Sequence, residues 1–296
     1  MTLFSETCHF LTGPTASGKT ARALAMAESL NAEILSMDAY AVYRGMDIGT
    51  AKPTWEERQI VPHYLIDLVE PTVDFSIADY LAAAEKAVRE ILERGKTPLF
   101  VGGTPLYLKS LLFGLFDGPP ADETLRQAWR QKAETSGDPE FLHRELEKVD
   151  PPTASRLHPN DTKRLLRALE VFYLTGKPIH TFQTQFERNA PPSIRHRITR
   201  IDLPRHALHD RIERRVDAMF ASGLLEEVES LVERHGTLGF TASQAVGYRE
   251  VFPFLEARRR GETPSLETLK DEIKAHTRQL AKRQETWFRS LLPDEE

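Results

Sequence analysis

The first third of the chain alternates short apolar stretches with longer amphipathic ones. The apolar stretches, typical of buried strands, run from Cys8 to Thr12, Ala32 to Met37, Tyr64 to Val69 and Pro98 to Val101. Helix-like stretches run from Thr20 to Leu30, from about Ser76 to Arg94, and onward from about Thr104. Ser76 can cap its helix, and Gly95 can end it. This alternation predicts parallel strands with helical crossovers.

The pattern changes after the turn-rich segment from Gly114 to Ala121. From Asp122 to about Phe186 the sequence is helical and charged, is broken by proline and glycine, and contains no convincing strand. The stretch from Arg197 to Leu203 then indicates a strand that returns to the sheet, and long helices are expected through Phe288. This order of elements predicts a helical module inserted into an α/β core.

A phosphate-binding loop lies between the first predicted strand and the first predicted helix. Residues 13–20 match the pattern G-x-x-x-x-G-K-[ST] at every fixed position. Backbone N–H groups at the positive end of a helix bind an anion, and the lysine adds a mobile charge. Lys19 is expected to contact terminal phosphate oxygens, and Thr20 to hold a Mg²⁺ that bridges them. The predicted phosphate-binding residues are Gly13, Pro14, Thr15, Ala16, Ser17, Gly18, Lys19 and Thr20.

With this loop, the predicted fold is of the α/β class. We expect a P-loop NTPase-like parallel sheet core, flanked by helices, with an inserted all-helical domain. Residues 1–120 and 187–296 are expected to form the core, and residues 121–186 the insert. The length agrees, because 296 residues is nearly twice a typical domain of about 150.

Composition narrows the location and the class of partner. The single cysteine, Cys8, excludes an internal disulfide and suits a reducing cytoplasm. No signal peptide and no run of about 18 apolar residues is recognised, so no membrane partner is expected. Nothing in the sequence demands more than a monomer.

The net charge of −5 is unevenly distributed. From Ser155 to Arg215 there are 13 lysines and arginines against 6 acidic residues, and from Ile273 to Ser290 there are 5 against 1. Basic tracts in an acidic chain are typical of polyanion binding. Two solvated helix faces would give the same pattern, so both interpretations stay open.

Asp38 follows the second predicted strand. Its carboxylate is therefore expected at the carboxyl edge of the sheet, where the phosphate-binding loop also opens and where ligands of such sheets bind. A carboxylate there can bind a metal or an acceptor, or take a proton from a nucleophile. The alternative is a turn-forming or helix-capping aspartate.

The segment that Asp38 begins carries a family resemblance. Residues 38–53 (DAYAVYRGMDIGTAKP) closely resemble the signature loop of the tRNA dimethylallyltransferases. Further similar segments follow in the expected order, at residues 101–107, 119–122 with Arg126, 158–161, 167–171, 223–228, 244–250, 277–284 and 287–289. The resemblance thus covers nearly the whole chain. Ala39 and Ala41 depart from it, because such proteins commonly have a serine and often a glutamine at these positions.

The resemblance implies transfer of a dimethylallyl group from dimethylallyl diphosphate to the exocyclic N6 of adenosine 37, beside the tRNA anticodon. Lys19, the loop amides and a Mg²⁺ on Thr20 are expected to stabilise the departing diphosphate. Arg211 and Arg215, four residues apart, could clamp the same oxygens, and the resemblance favours Arg215. Ion pairs with Asp210 or Glu213 are the alternative for these arginines.

Acceptor binding is assigned in the same way. Asp38 is expected to take the N6 proton, and Thr104 to orient the amine or the donor, although Thr104 could equally cap a helix. The expected tRNA contacts, for the anticodon stem-loop, are Asp38, Ala39, Tyr40, Ala41, Thr104, Arg126, Lys163, Arg164, Leu165, Leu166, Arg167, Arg278, Lys282 and Arg283.

Two other functions stay open on the sequence alone. One is a phosphotransferase that holds ATP in the loop and a small acceptor under the helical module. The other is a non-catalytic RNA-binding protein with a relic phosphate-binding loop. The joint presence of Lys19, Thr20 and Asp38 argues against the second.

Overall fold

A computed structural model describes residues 2–116, 118–182 and 192–292. The chain divides into two compact units, Met1–Phe113 with Asn189–Glu296, and Gly114–Arg188. The first unit contains a sheet of β1 (His9–Thr12), β2 (Ala32–Ser36), β3 (His63–Tyr64), β4 (Thr97–Gly102) and β5 (Ile198–Arg200). All neighbouring strands pair in parallel, in the order β3-β2-β4-β1-β5. The predicted α/β class with a parallel sheet is confirmed.

Helices flank this sheet. The first part of the unit contains α1 (Leu3–Thr7), α2 (Lys19–Leu30), α3 (Trp55–Ile60), α4 (Ile77–Glu93) and α5 (Pro105–Phe113). The second unit follows with α6 (Glu123–Ser136), α7 (Phe141–Val149), α8 (Pro151–Ala154), α9 (Thr162–Thr175) and a 3₁₀ turn (Ile179–Thr181). The rest of the first unit contains α10 (Pro192–Arg195), α11 (Arg205–Ala221), α12 (Leu224–His235), α13 (Phe240–Ser243), α14 (Tyr248–Arg259) and α15 (Leu266–Leu291). Within the described residues no helix is long and apolar enough to cross a membrane.

Both faces of the sheet are covered, which explains its nearly continuous apolar strands. Successive strand residues alternate between faces, with Phe10, Leu35 and Phe100 on one and Leu11, Ile34 and Leu99 on the other. Helices α4 and α5 pack on the first face, and α2 packs on the second. The polar loops at the carboxyl ends of the strands are therefore held on a rigid base.

The predicted strand from Tyr64 to Val69 was wrong in length, because only two residues pair as β3. Leu65 and Asp67 adopt left-handed backbone conformations, with φ of 62° and 56°, which no strand accommodates. The Asp67 carboxylate accepts hydrogen bonds from Lys52 at 2.5 Å and Arg58 at 3.0 Å. These long-range partners end the strand where its apolar sequence would have continued it.

A second core joins the C-terminal helices to the segment after β2. Buried side chains of α11, α12, α14 and α15 pack around Val42, Tyr43 and Met46. The loop that follows Asp38 is consequently fixed by helices that come much later in the chain. This packing brings α11 and α15 to the edge of the sheet where β1, β2 and β4 end.

The second unit is helical throughout its described residues, and the last four residues of the predicted helical stretch, 183–186, lie outside them. Its core contains Trp129, Leu146 and Leu169, together with Leu165 and Leu166 from α9. Leu165 and Leu166 were predicted to contact tRNA, but the helical period turns both inward and buries them. Their side chains are core residues and not a surface for RNA.

Candidate active site

The phosphate-binding loop connects β1 to α2, and its glycines are required by close approaches. Gly13 and Gly18 have φ of 154° and 90°, where a side chain is strained. A Cβ at Gly13 would lie 2.9 Å from the carbonyl oxygen of Ile201, and one at Gly18 would lie 2.9 Å from Arg211. Ala16 is also left-handed, and Pro14 and Ser17 are buried in the curl of the loop. The predicted loop is thus wrapped closely by the protein.

Lys19 folds back over this loop. Its Nζ donates to the carbonyl oxygens of Gly13 at 3.0 Å and Pro14 at 2.7 Å. Burial of the ammonium and the nearby charge of Arg215 lower its pKa from 10.5 to about 7, although Asp38 opposes the shift. Lys19 is therefore a group whose charge depends on its anionic partner near neutral pH.

Arg211 and Arg215 extend from α11 toward the same loop. Arg211 donates to the carbonyl oxygen of Ser17 at 2.9 Å, and Arg215 donates to the carbonyl oxygen of Thr50 at 3.5 Å. Burial lowers the pKa of Arg215, and Asp38 partly offsets this effect. Glu213, the alternative ion-pair partner from the sequence, instead pairs with Lys274 and Arg278 of α15. Both arginines are thus directed at the site.

Asp38 and Thr104 together hold the turn after β2. One carboxylate oxygen of Asp38 accepts from the backbone N–H groups of Tyr40 at 2.8 Å and Ala41 at 3.3 Å. The Thr104 hydroxyl accepts from the N–H of Ala39 at 3.2 Å. Asp38 is therefore a turn former, as one interpretation expected, and the same turn leaves its side chain lining the site described next.

Two cavities meet at these residues. The larger, of about 370 Å³, is lined by Thr15, Lys19, Thr20, Asp38, Ala41, Lys52, Arg211 and Arg215, among others. The smaller, of about 70 Å³, has an apolar wall that includes Tyr40, Val216, Met219, Val246 and Leu280. Both are lined by Thr15, Asp38, Thr50, Arg215 and Gln284. Asp38 therefore lies where the phosphate-binding side of the site meets an apolar side.

Gln284 of α15 was not assigned a role from the sequence. Its side chain accepts from the N–H of Thr15 at 2.8 Å and donates to the carbonyl oxygen of Gly103 at 2.6 Å. It joins the phosphate-binding loop to the turn after β4. The similar segment at 277–284 could have marked it, but nothing local in the sequence indicates a contact with residue 15.

Cations surround Tyr40 at the smaller cavity. Burial and the Asp38 carboxylate raise the pKa of its phenol, and the charges of Arg249 and Arg283 oppose that shift. Lys282 and Arg283 are exposed on α15, whereas Arg278 is paired with Glu213. Sequence reasoning missed Arg249, although it lies in the similar segment at 244–250.

In the helical unit, a buried carboxylate holds two of the predicted RNA-binding arginines. Glu170 accepts from Arg126 at 3.0 Å and from Arg167. Burial raises the pKa of Glu170, but hydrogen bonds from Arg126, Arg167 and the N–H of Asp122 outweigh burial and leave it lowered. Lys163 and Arg164 are exposed on α9, and Arg164 pairs with Asp161 at 3.4 Å.

Metal coordination by protein groups alone is not seen in the part of the chain that the structure describes. No group of three or more histidine, cysteine, aspartate or glutamate side chains there could hold an ion. Thr20 and Asp38 nevertheless supply oxygen atoms to the larger cavity, and oxygen ligands suit a Mg²⁺ that is shared with phosphate.

Comparisons with known proteins follow this geometry. The family model "IPP transferase" matches residues 41–291. A tRNA dimethylallyltransferase of Rhodopirellula baltica is 49% identical over 289 residues, which is 95% of this chain and 84% of that protein. The crystal structure of a tRNA isopentenylpyrophosphate transferase from Bacillus halodurans is 39% identical, with a TM-score of 0.65 over 96% of this chain and 87% of that one.

A eukaryotic dimethylallyltransferase acting on tRNA is 28% identical, with a TM-score of 0.74, and the match covers 95% of this chain and 69% of that chain. The family model thus spans most of the sequence, and a relative close to half identical extends over nearly all of it. On these grounds the chain belongs to the IPP transferase family.

Proposed function

We propose that this protein transfers a dimethylallyl group from dimethylallyl diphosphate to the exocyclic N6 of adenosine 37 in tRNA, releasing diphosphate. The observation that carries the proposal is the shared lining of the two cavities. Asp38 lies between the side that has the phosphate-binding loop and the side that is apolar. An acid and an anion site on either side of one reacting carbon are what this transfer requires.

The larger cavity suits the diphosphate of the donor. Loop amides, Lys19, Arg211 and Arg215 converge there, and the buried Ser17 hydroxyl has no hydrogen-bond partner among the described residues. An unsatisfied buried hydroxyl in a phosphate-binding loop is consistent with a phosphate oxygen as its partner. Mg²⁺ held by Thr20 would supply further neutralisation of the charge that develops on the leaving group.

The reaction forms one bond and breaks another. The N6 atom attacks C1 of the dimethylallyl group, the C1–O bond breaks, and its electron pair leaves with the diphosphate. Lys19 and Arg215 stabilise that charge from a site already organised for it. The N6 proton passes to the Asp38 carboxylate, because the amine lone pair is delocalised into the ring and attack needs a base.

Acceptor binding is assigned to the smaller cavity and the cations around it. Extracting a base from a loop costs a few kcal/mol, and stacking on Tyr40 and the apolar wall offsets it by about 1–3 kcal/mol. Lys282 and Arg283 are positioned to contact backbone phosphates, as are Arg126 and Arg167 of the helical unit. A monomer in the cytoplasm stays a prediction.

The experiment is transfer of label from dimethylallyl diphosphate to a defined tRNA in the presence of Mg²⁺. We expect label on adenosine 37, and a fall of about 10²–10⁴ in the rate for Asp38→Asn, with tRNA affinity changed less than about threefold. Absence of transfer by the wild-type protein would refute the proposal. Phosphoryl transfer from ATP to a small acceptor would instead identify the phosphotransferase.

A further inference from the structure

A carboxylate outside both cavities is bound by one loop of the site. Glu227 of α12 accepts from three successive backbone N–H groups, those of Asp47 at 2.9 Å, Ile48 at 2.7 Å and Gly49 at 3.3 Å. The hydroxyl of Tyr248 donates to it as a fourth partner at 2.5 Å. Successive amides that point into one concavity form an anion site, and here the anion is the protein's own side chain.

The loop cannot easily leave this arrangement. A Cβ at Gly49 would lie 2.4 Å from the ring of Tyr248, which is fully buried. Two further backbone bonds fold the loop on itself, from Lys52 to Asp47 at 3.0 Å and from Ala51 to Ile48 at 3.0 Å. The amides of residues 47, 48, 49, 51 and 52 are therefore all satisfied by a single conformation.

The opposite side of the same loop faces the site. Thr50 lines both cavities, and its carbonyl oxygen accepts from Arg215. The Lys52 ammonium, which lines the larger cavity, donates to the Asp47 carboxylate at 2.7 Å. A shift of the loop away from Glu227 would thus move the group that holds the Arg215 guanidinium.

We propose that Glu227 is a positioning residue for the transfer reaction, because its carboxylate fixes the loop of residues 47–50 and thereby the Thr50 carbonyl that orients Arg215 toward the diphosphate. The proposal rests on the function proposed above. Glu227 touches neither cavity, so its effect is transmitted through the backbone of the loop. Arg215 is the group through which that effect reaches the departing diphosphate.

The test compares Glu227→Gln with Glu226→Gln. Both substitutions remove one negative charge from the first turn of α12, so their effects on the helix dipole are matched, while Glu226 is exposed. Glutamine keeps the shape of Glu227 but replaces charge-assisted hydrogen bonds with weaker neutral ones. We would measure kcat, the KM for tRNA and for the donor, the Kd for inorganic pyrophosphate, and the thermal midpoint.

In Glu227→Gln we expect a kcat lower by about tenfold or more, since small misplacements of site groups cost up to about 10²-fold. The Kd for pyrophosphate should rise by about fivefold through Arg215, with the KM for tRNA within about twofold of wild type. Glu226→Gln should resemble wild type in all four measurements. A wild-type kcat and pyrophosphate Kd in Glu227→Gln, even with a lower thermal midpoint, would overturn the positioning role.

The pyrophosphate measurement separates this proposal from the proposed function. If the wild-type protein fails to transfer but only Glu227→Gln weakens pyrophosphate binding, the function is wrong and the control of Arg215 by Glu227 is retained. Should Glu227→Gln not fold, Tyr248→Phe removes one donor to the same carboxylate and keeps the ring. It should lower kcat by about two- to threefold, and an unchanged kcat would count against the proposal.

Discussion

Donor binding should weaken as the pH rises above neutral, because the charge of Lys19 is lost there. In the ligand-free protein, burial and Arg215 lower the pKa of this lysine from 10.5 to about 7. A bound diphosphate adds several negative charges beside the ammonium, which favours the protonated form. The complex therefore keeps a proton that the free protein has given up, and binding above pH 7 requires uptake of that proton.

The magnitude follows from linkage. If only the protonated form binds, the apparent Kd is multiplied by 1 + 10^(pH − pKa), which is about elevenfold at pH 8 and about a hundredfold at pH 9 for a pKa of about 7. Below pH 7 the lysine is already charged, so the same cause predicts a flat profile. The direction is loss of affinity with rising pH.

Calorimetric titration with dimethylallyl diphosphate, without tRNA, measures this directly. Titrations at pH 7, 8 and 9, in buffers of different ionisation enthalpy, give both the Kd and the number of protons taken up. Lys19→Arg is the matched control, because the guanidinium stays charged throughout this range and the ligand ionises identically. A wild-type profile as flat as that of Lys19→Arg would refute the reasoning.

Three further predictions test other parts of the molecule. Lys282→Ala should reduce the slope of log K against log salt for tRNA binding by about 1, measured by filter binding, and an unchanged slope would argue against a phosphate contact. Gly102→Ala should lower the thermal midpoint and abolish transfer, since its Cβ would lie 2.0 Å from the carbonyl oxygen of Met37. The lowered pKa of Glu170 means that its stabilisation exists above its usual pKa and is lost on acidification. Thermal melts from pH 7 to pH 3 should therefore fall less in Glu170→Gln, and equal falls would show that this carboxylate does not contribute.

Much of the sheet could be predicted because its signals are local. The strands before the phosphate-binding loop and after Gly95 are apolar runs bounded by turn residues, and the structure has β1 and β4 there. The error at residues 64–69 arose from Lys52 and Arg58, which bind Asp67 and end β3. Helix α3 was missed although its start is local, because Thr54 and Glu57 form a capping box.

The site divides along the same line. The phosphate-binding loop and Asp38 are contiguous with the strands that carry them, so a motif and its context suffice to find them. The contacts that complete the site join distant residues, as from Thr15 to Gln284 or from Asp47 to Glu227. Nothing in the residues between them encodes such a pair locally, and only the packing of α12 and α15 brings it together.

Strand order explains why these groups converge. Asp38 follows β2, Gly103 and Thr104 follow β4, and the phosphate-binding loop follows β1, while β4 lies between the other two strands. The turn after β4 is thus the common neighbour of the acid and the anion site. It bonds to the turn at Asp38 through Thr104 and to the phosphate-binding loop through Gln284.

Close packing at the end of β4 sets the separation between acid and anion site. No side chain fits at Gly102, against the Met37 backbone, or at Gly103, whose Cβ would lie 2.8 Å from the Gln284 amide nitrogen. A larger residue at either position would push the Asp38 turn or α15 away from the phosphate-binding loop. Because proton transfer and bond cleavage must act on one allyl carbon and its attacking amine, that distance cannot grow without loss of rate. The two glycines therefore serve the chemistry although neither has a side chain to contribute.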